Sequence, residues 1–151
     1  MGQSLAQIYV HIIYSTKNRT PFLQNTEFQS HLHAYLAGIC QNQGCPALAI
    51  GGVEDHVHIL CRLGKTIDVA TLLREQKRSS SLWIKTERTD LQNFQWQDGY
   101  GAFSVSPSHV EDLKKYIANQ AEHHRRETFQ DEFRRICGKY GVELDERYAW
   151  D

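Results

Sequence analysis

Hydrophobic side chains recur along the chain with two periodicities, one typical of strands and the other of helices. Every second residue over 8–14 is apolar, which predicts a first strand. Apolar residues at spacings of three and four follow over 28–39. They predict a helix that is capped by Asn25 or Thr26 and ends at Gly44. The chain therefore begins with a strand and a helix.

The following residues extend this arrangement with a pair of strands. Residues 46–53 predict a second strand, which a tight connection joins to a third strand over 55–61. A second helix is predicted over 66–85 and a fourth strand over 100–106. The order βαββαβ is that of a ferredoxin-like α+β domain with an antiparallel sheet. Without repeats, linkers or low-complexity segments, we expect residues 1–151 to form one domain.

Two more helices are predicted after the fourth strand. Ser108, followed three residues later by Glu111, forms a capping-box pattern that predicts a helix over 108–124. Apolar residues at helical spacing over 129–140 predict a short docking helix that ends at Gly141. The first of these helices comes after the complete sheet, so it is free to lie over the face that the earlier helices leave open.

The third predicted strand carries two histidines one residue apart. Because side chains alternate along a strand, His56 and His58 share one face, while Val57, Ile59 and Cys61 take the other. The apolar face is expected to point toward the helices between the strands, which leaves the histidines on the open face. Two imidazoles on one face can converge on a cation, so this strand predicts half of a metal site.

The helix over 108–124 carries a second pair of polar groups. Tyr116 and Gln120 lie four residues apart, so a phenol and a carboxamide project from one face. If this helix covers the open face, His56, His58 and Gln120 can hold a divalent cation and leave coordination positions open. Two imidazoles and one amide oxygen without a thiolate suit Mg²⁺ or Mn²⁺ acting on phosphate oxygens.

The two pairs together resemble the HUH single-strand nucleases, in which two histidines flank a hydrophobic residue. The chain is most similar to the single-tyrosine transposases of the insertion-sequence two-hundred/six-hundred-and-five family, which includes the REP-associated tyrosine transposases. Four blocks carry the resemblance in the same order, and they span nearly the whole chain: VHIIYSTKNR at 10–19, DHVHIL at 55–60, WQDGYGAFSVS at 96–106 and YIANQAEHH at 116–124.

The resemblance implies a transposase that cleaves and rejoins single-stranded DNA at the ends of a mobile element. Tyr116 would be the catalytic nucleophile, with His56, His58 and Gln120 as ligands of Mg²⁺ or Mn²⁺. The implied product is a 5′-phosphotyrosine intermediate with a free 3′-hydroxyl, and rejoining would need neither ATP nor another nucleotide cofactor. The implied partners are hairpin-bearing single strands and a second copy of the chain. Whether Tyr116 serves its own histidines or those of the second copy is left open.

Charge is nearly balanced over the whole chain but not locally. The net charge of −1 argues against a protein that coats nucleic acid indiscriminately. Residues 62–88 nevertheless contain seven basic and three acidic side chains. Basic side chains near a phosphodiester site would hold the DNA backbone without reading its sequence. The candidate DNA contacts are Lys17, Arg19, Lys77, Arg78, Lys114 and Lys115.

We expect the protein to be cytoplasmic. No apolar run approaches the ~20 residues that span a bilayer, and the first residues do not form a secretion signal. The four cysteines include no C-x-x-C pair, so we expect free thiols.

Several neighbouring groups have a secondary place in the prediction. His123 lies on a face similar to that of Gln120 and could replace it as a ligand or contact DNA, whereas His124 is expected at the surface. His11 is expected to be a core histidine. Trp96 and Tyr100 could stack on a base, although burial in the sheet is the simpler expectation.

Three alternatives stay open at this point. The first is a domesticated module that binds hairpin DNA or RNA without cutting it. The second is a phosphoesterase that uses His56 and His58 directly, although the third histidine in series or second His-x-Thr/Ser copy of such enzymes is missing. The third is a zinc site built from Cys40, Cys45 and the histidines, whose spacing fits no common zinc pattern.

Overall fold

A four-stranded sheet forms the centre of the protein. The computed structural model describes residues 2–151. The strands are arranged in the order β2-β3-β1-β4, and all neighbouring pairs are antiparallel. This order confirms the predicted ferredoxin-like α+β fold. The strands are β1 (Tyr9–Ser15), β2 (Ala47–Val53), β3 (His56–Arg62) and β4 (Gly101–Val105).

Two long helices cover one face of the sheet. They are α1 (Thr26–Asn42) and α2 (Val69–Glu87), and their N-termini are capped by the side chains of Asn25 and Asp68. The second helix starts later than its apolar pattern predicts, because Asp68 accepts a hydrogen bond from the backbone of Thr71 at 2.6 Å. The apolar face of β3 packs into this core, as its alternation predicts. The core residues contributed by β3 are Val57, Ile59 and Cys61.

Three shorter helices cover the opposite face. They are α3 (Val110–Ala118), α4 (Gln120–His123) and α5 (Phe129–Lys139). Val110 and Ile117 of α3 pack on Leu60 and Val105 of the sheet. A separate apolar cluster joins α5 to the sheet and contains Ile13, Phe103, Phe129, Phe133 and Ile136. The added C-terminal helical layer is therefore confirmed, and it lies over the histidine face.

The prediction of one continuous helix over 108–124 is wrong. Residues 107–109 form a short 3₁₀ turn, and α3 starts without a side-chain cap, because the Ser108 hydroxyl lies 3.0 Å from that of Ser106 instead. Asn119 then interrupts the helix with φ −102° and ψ 23°. Asparagine competes with the helix for backbone hydrogen bonds, so it is suited to such a break. The break separates the turn that carries Tyr116 from the turn that carries Gln120.

A glycine allows α3 to lie very close to the sheet. A β-carbon at Gly51 would lie 2.4 Å from the backbone oxygen of Ile117. Gly51 is also the register partner of His58 in the β2–β3 ladder. Because Ile117 follows Tyr116, the missing side chain at Gly51 sets how closely the Tyr116 turn approaches the His58 strand.

We expect Gly51→Ala to destabilise the fold by about 1–3 kcal/mol, because the new methyl group forces α3 away from β2. The same change should displace Tyr116 from the histidines. Gly38→Ala is the matched control, since a β-carbon there meets nothing within 4 Å and alanine favours the helix by about 0.5–1 kcal/mol. Chemical denaturation of both variants measures the difference. Equal stability of the two variants would contradict the close approach.

All four cysteines are buried and free, as expected for thiols. Among residues 2–151, no helix is both long and apolar enough to cross a membrane.

Candidate functional site

The two histidines of β3 lie on the sheet face that the C-terminal helices cover. His56 and His58 are fully buried, and their ring centroids are 5.2 Å apart. Phe129 of α5 packs against the His56 ring, with 4.8 Å between centroids. The pair therefore lies inside the protein, where a charged ligand would be shielded from water.

A carboxylate from α5 lies at the centre of the site. Glu132 is fully buried, and its Oε1 lies 2.9 Å from Nε2 of His58 and 3.5 Å from Nε2 of His56. Nε2 of His124, which follows α4, is 3.1 Å from the same oxygen. Three imidazole nitrogens thus converge on a single carboxylate oxygen.

The spacing of these four groups suits a divalent cation. The ligand atoms of His56, His58, His124 and Glu132 all lie within 4.8 Å of one another. Metal bonds of ~2.1 Å in a tetrahedral site require ligand atoms about 3.4 Å apart, so only small shifts would be needed to admit an ion. Three imidazoles and a carboxylate form a donor set that fits a divalent metal.

Two further side chains orient the histidines. Oδ1 of Asp55 lies 2.7 Å from Nδ1 of His56, and Nε2 of His11 lies 2.8 Å from Nδ1 of His58. Each contact uses the ring nitrogen that faces away from Glu132. Such contacts hold an imidazole in one orientation, as outer partners do in metal sites. The expected core histidine, His11, therefore supports His58.

Burial and charge move the pKa values of the histidines in opposite directions. Burial lowers the pKa of His56, but hydrogen bonds to Asp55 and Glu132 outweigh it and raise the pKa to about 9. Burial dominates at His58 and lowers its pKa to about 4. Burial also opposes ionisation of Glu132, yet the three imidazoles hold its pKa far below the usual range. A cation that binds through His56 must therefore displace a proton from it.

The phenol of Tyr116 lies at the edge of this cluster. Its hydroxyl donates a hydrogen bond to Oε2 of Glu132 and accepts one of 2.8 Å from Nη2 of Arg135. Its ring centroid is 5.9 Å from that of His58. Burial and the neighbouring Glu132 raise the pKa of Tyr116. The hydroxyl is therefore held in one position between an acceptor and a donor.

Gln120 completes the arrangement. It is buried, with Oε1 3.1 Å from Nε2 of His56 and Nε2 3.3 Å from Oε2 of Glu132. The four residues singled out in the sequence for nucleophile and metal roles are therefore brought together.

The surface position expected for His124 is wrong. Its side chain is only 9% exposed and contacts Glu132, because His124 lies one helical turn after Gln120, whose side chain also reaches Glu132. His123 instead lies over the Tyr116 ring, with 4.5 Å between centroids.

Glu132 is the residue that the sequence analysis missed, and the pattern of α5 contains a signal for it. Residues 129, 133 and 136 are apolar and buried, and position 132 belongs to the same helical face. A charged residue within an apolar stripe needs a buried partner. The signal identifies a buried carboxylate, but not the histidines that it meets.

Lys17 and Arg19, which follow β1, contact groups outside the histidine cluster. Lys17 is 4.0 Å from the carboxylate of Asp98. Arg19 donates a 3.1 Å hydrogen bond to the backbone oxygen of Trp150.

On α2, the two predicted DNA contacts differ in availability. Lys77 donates to the backbone oxygens of residues 97–99, and burial lowers its pKa to about 8. Arg78 is exposed and pairs with Glu75 at 2.8 Å. Both line a groove of about 570 Å³ that also contains Arg74, Lys85 and Tyr100.

Two basic residues precede the tyrosine on α3. Lys114 pairs with Glu111 at 3.1 Å, and Lys115 is exposed.

Trp96 is buried, and its indole nitrogen donates to the Ser80 hydroxyl at 2.9 Å, so Trp96 is part of the core.

Comparison with protein families identifies a family whose model covers most of the chain. The model of a family described as "Transposase IS200 like" matches residues 4–120. The matched region contains the four residues predicted to act in catalysis and metal binding, which are His56, His58, Tyr116 and Gln120. It ends before His124 and Glu132. No curated protein matches the sequence.

Two solved structures share the fold. A candidate transposase from Deinococcus radiodurans R1 is 22% identical, with a TM-score of 0.65, and the match covers 80% of this chain and 96% of that one. A REP-associated tyrosine transposase bound to a REP hairpin is 17% identical, with a TM-score of 0.59, and the match covers 82% of this chain and 74% of that one. At these identities the likeness concerns the fold alone.

Proposed function

Because the chain belongs to the IS200-like transposase family, we propose that it cleaves and rejoins single-stranded DNA through a covalent bond to Tyr116. The observation that carries this proposal is the position of the Tyr116 hydroxyl. It contacts the carboxylate on which His56, His58 and His124 converge. A nucleophile beside a site for a cation is the arrangement that attack on a phosphodiester requires.

In the proposed cleavage, Tyr116 Oη attacks the phosphorus of the scissile phosphodiester. The bond between Oη and phosphorus forms as the bond between phosphorus and the 3′-oxygen breaks. The phenol already donates its hydrogen bond to Oε2 of Glu132, so this oxygen receives the phenol proton and, because the pKa of Glu132 is low, passes it on to water. The leaving 3′-oxygen takes up a proton from water and becomes a free 3′-hydroxyl. The DNA end stays attached as a 5′-phosphotyrosine.

Rejoining is the reverse step with a different strand. The 3′-hydroxyl of a second strand attacks the phosphotyrosine and releases Tyr116. Because the phosphodiester bond is exchanged for another ester of similar energy, no ATP is consumed.

His56, His58 and Gln120 are the metal ligands predicted from the sequence, and His124 and Glu132 lie close enough to join them. A bound cation would supply positive charge to the phosphate oxygens in the transition state. Imidazole nitrogens are better ligands for Mn²⁺ than for Mg²⁺, so the three-histidine set favours manganese.

The proposed partner is a hairpin-bearing single strand of DNA. Support comes from the neighbour that was solved with a REP hairpin and from the exposed basic residues on α2 and α3. We propose Lys17, Arg19, Lys77, Arg78, Lys114 and Lys115 as backbone contacts. A homodimer is also proposed, on the family resemblance.

The test is a cleavage assay with single-stranded oligonucleotides copied from the DNA that flanks the gene. We expect cleavage with Mn²⁺ or Mg²⁺, none with excess chelator, and a loss of at least about 10³-fold in His58→Ala, since a metal-site histidine is removed. His31→Ala is the control, because His31 is exposed on α1. Tight hairpin binding without cleavage under either metal would contradict the proposal and favour a non-cutting binding module.

A further inference from the structure

A cavity of about 560 Å³ lies beside the Tyr116 phenol. Residues of β1, β4, α3 and α5 line it, and the β1 residue is His11. Its volume falls within the roughly 300–1,000 Å³ of small-ligand sites. The proposed cleavage requires nucleotides on both sides of the scissile phosphate, and this cavity is the space that adjoins the nucleophile.

Positive charge dominates the wall formed by α5. Arg135 and Lys139 line the cavity from positions four residues apart, so they lie on one face of the helix. Asp112 is the acidic residue of the lining. Within residues 2–151, Lys139 has no carboxylate partner, so its charge is available to a phosphate.

The Arg135 guanidinium is fixed beside the nucleophile. Its Nε and Nη2 bind the carboxylate of Glu127 at 3.1 and 2.9 Å, and Nη2 also donates to Tyr116 Oη. In the described part of the chain, Nη1 donates to no acceptor. About half of the side chain is exposed. A planar, permanently charged group with a free donor is suited to a phosphate oxygen.

The remaining lining suits the other parts of a nucleotide. Ser106 and His109 provide polar groups, while Leu113, Ile136 and Tyr140 provide apolar surface. Polar side chains can contact the sugar, and apolar side chains can pack against the base. The cavity wall therefore combines the two kinds of contact that single-strand binding surfaces use.

We propose that this cavity binds the nucleotide adjacent to the scissile phosphate, with Arg135 and Lys139 as phosphate contacts. Arg135 is in addition a positioning residue for Tyr116. The proposal rests on the proposed function for the identity of its ligand, single-stranded DNA. Its two basic residues lie beyond residue 120, where the family match ends.

The test measures binding of a fluorescent single-stranded oligonucleotide at several salt concentrations, with a chelator present so that no cleavage is needed. Arg135→Gln should weaken binding about 10-fold, and the slope of log affinity against log salt should fall by about 0.7, the value for one phosphate contact. Arg134→Gln is the matched control. Arg134 neighbours Arg135, is similarly exposed and forms a similar pair with Glu146, but it does not line the cavity.

Lys139→Gln provides a second variant in case the loss of Arg135 disturbs the fold. It should also lower the slope by about 0.7, and an unchanged melting temperature would separate this effect from unfolding. Equal slopes for wild type, Arg135→Gln, Arg134→Gln and Lys139→Gln would overturn the cavity proposal, even if the wild type cleaves DNA. A selective loss with Arg135→Gln and Lys139→Gln would support it, even if the wild type does not cleave.

Discussion

Tyr116→Phe is expected to reduce strand cleavage by at least about 10⁴-fold, the scale of loss when a catalytic nucleophile is removed. The substitution removes the one atom proposed to bond to phosphorus and keeps the ring that packs near His58 and His123. Oε2 of Glu132 keeps its hydrogen bond from Gln120, so this carboxylate oxygen still has a donor after the hydroxyl is removed. DNA binding should therefore change by no more than about 10-fold, the upper range for the loss of one hydrogen bond.

The measurement is a single-turnover time course on a denaturing gel. Tyr148→Phe is the control, because Tyr148 is exposed and lines neither the histidine cluster nor the cavity beside Tyr116. Cleavage by Tyr116→Phe within about 10-fold of the wild-type rate would reject Tyr116 as the nucleophile and would favour direct use of the histidines, as in a phosphoesterase.

Glu132→Gln is expected to lower the affinity for Mn²⁺ by at least about 100-fold, since loss of an outer partner of a metal ligand already costs about 10–100-fold. Glutamine keeps the shape of the side chain but removes its charge. The carboxylate lies within 3.5 Å of three imidazole nitrogens, so it would be the anionic ligand of the cation. The same change removes the proposed acceptor of the Tyr116 proton, so cleavage should also be lost.

Calorimetric titration of the metal-free protein with Mn²⁺ measures this effect directly. Glu111→Gln is the control, because Glu111 is exposed on α3 and pairs only with Lys114. Unchanged Mn²⁺ affinity in Glu132→Gln, together with loss in His58→Ala, would remove Glu132 from the ligand set. The set of His56, His58 and Gln120 predicted from the sequence would then be preferred.

The strand that carries the histidines was predictable because its two faces differ in polarity. Val57, Ile59 and Cys61 could only face the core, which placed His56 and His58 together on the other side.

The two faces of the sheet also keep the cysteines of the alternative zinc site away from the histidines. Cys40 belongs to α1 and Cys45 follows this helix. Both pack into the core on the opposite side of the sheet, so the residues described do not build the mixed zinc site.

The position of the tyrosine helix was predictable only in part. The spacing of Tyr116 and Gln120 indicated one face, and both residues do reach the cluster. The break at Asn119 was not predicted, because residues on both sides of it continue an apolar pattern of helical spacing. The break does not explain the position of His124. His124 lies four residues after Gln120, so helical spacing already indicated the face on which both side chains reach Glu132.

The hydrophobic pattern of α5 predicts that Glu132 is buried, but it does not predict which residues Glu132 contacts. The position of a buried carboxylate on α5 follows from the apolar stripe around it. The partners of Glu132 depend on how α5 docks against the sheet. This docking is set by contacts between Phe103, Phe133 and Ile13, three residues that are far apart in the sequence. Spacing along the chain carries no information about that docking.

The most direct test of the central claim is peptide mapping by mass spectrometry after incubation with Mn²⁺ and a single-stranded oligonucleotide from the flanking DNA. Our account predicts one modified peptide, with the 5′-phosphate of the DNA attached to Tyr116 and a free 3′-hydroxyl on the released strand. Cleavage without any protein-bound DNA, or attachment at a residue other than Tyr116, would contradict it.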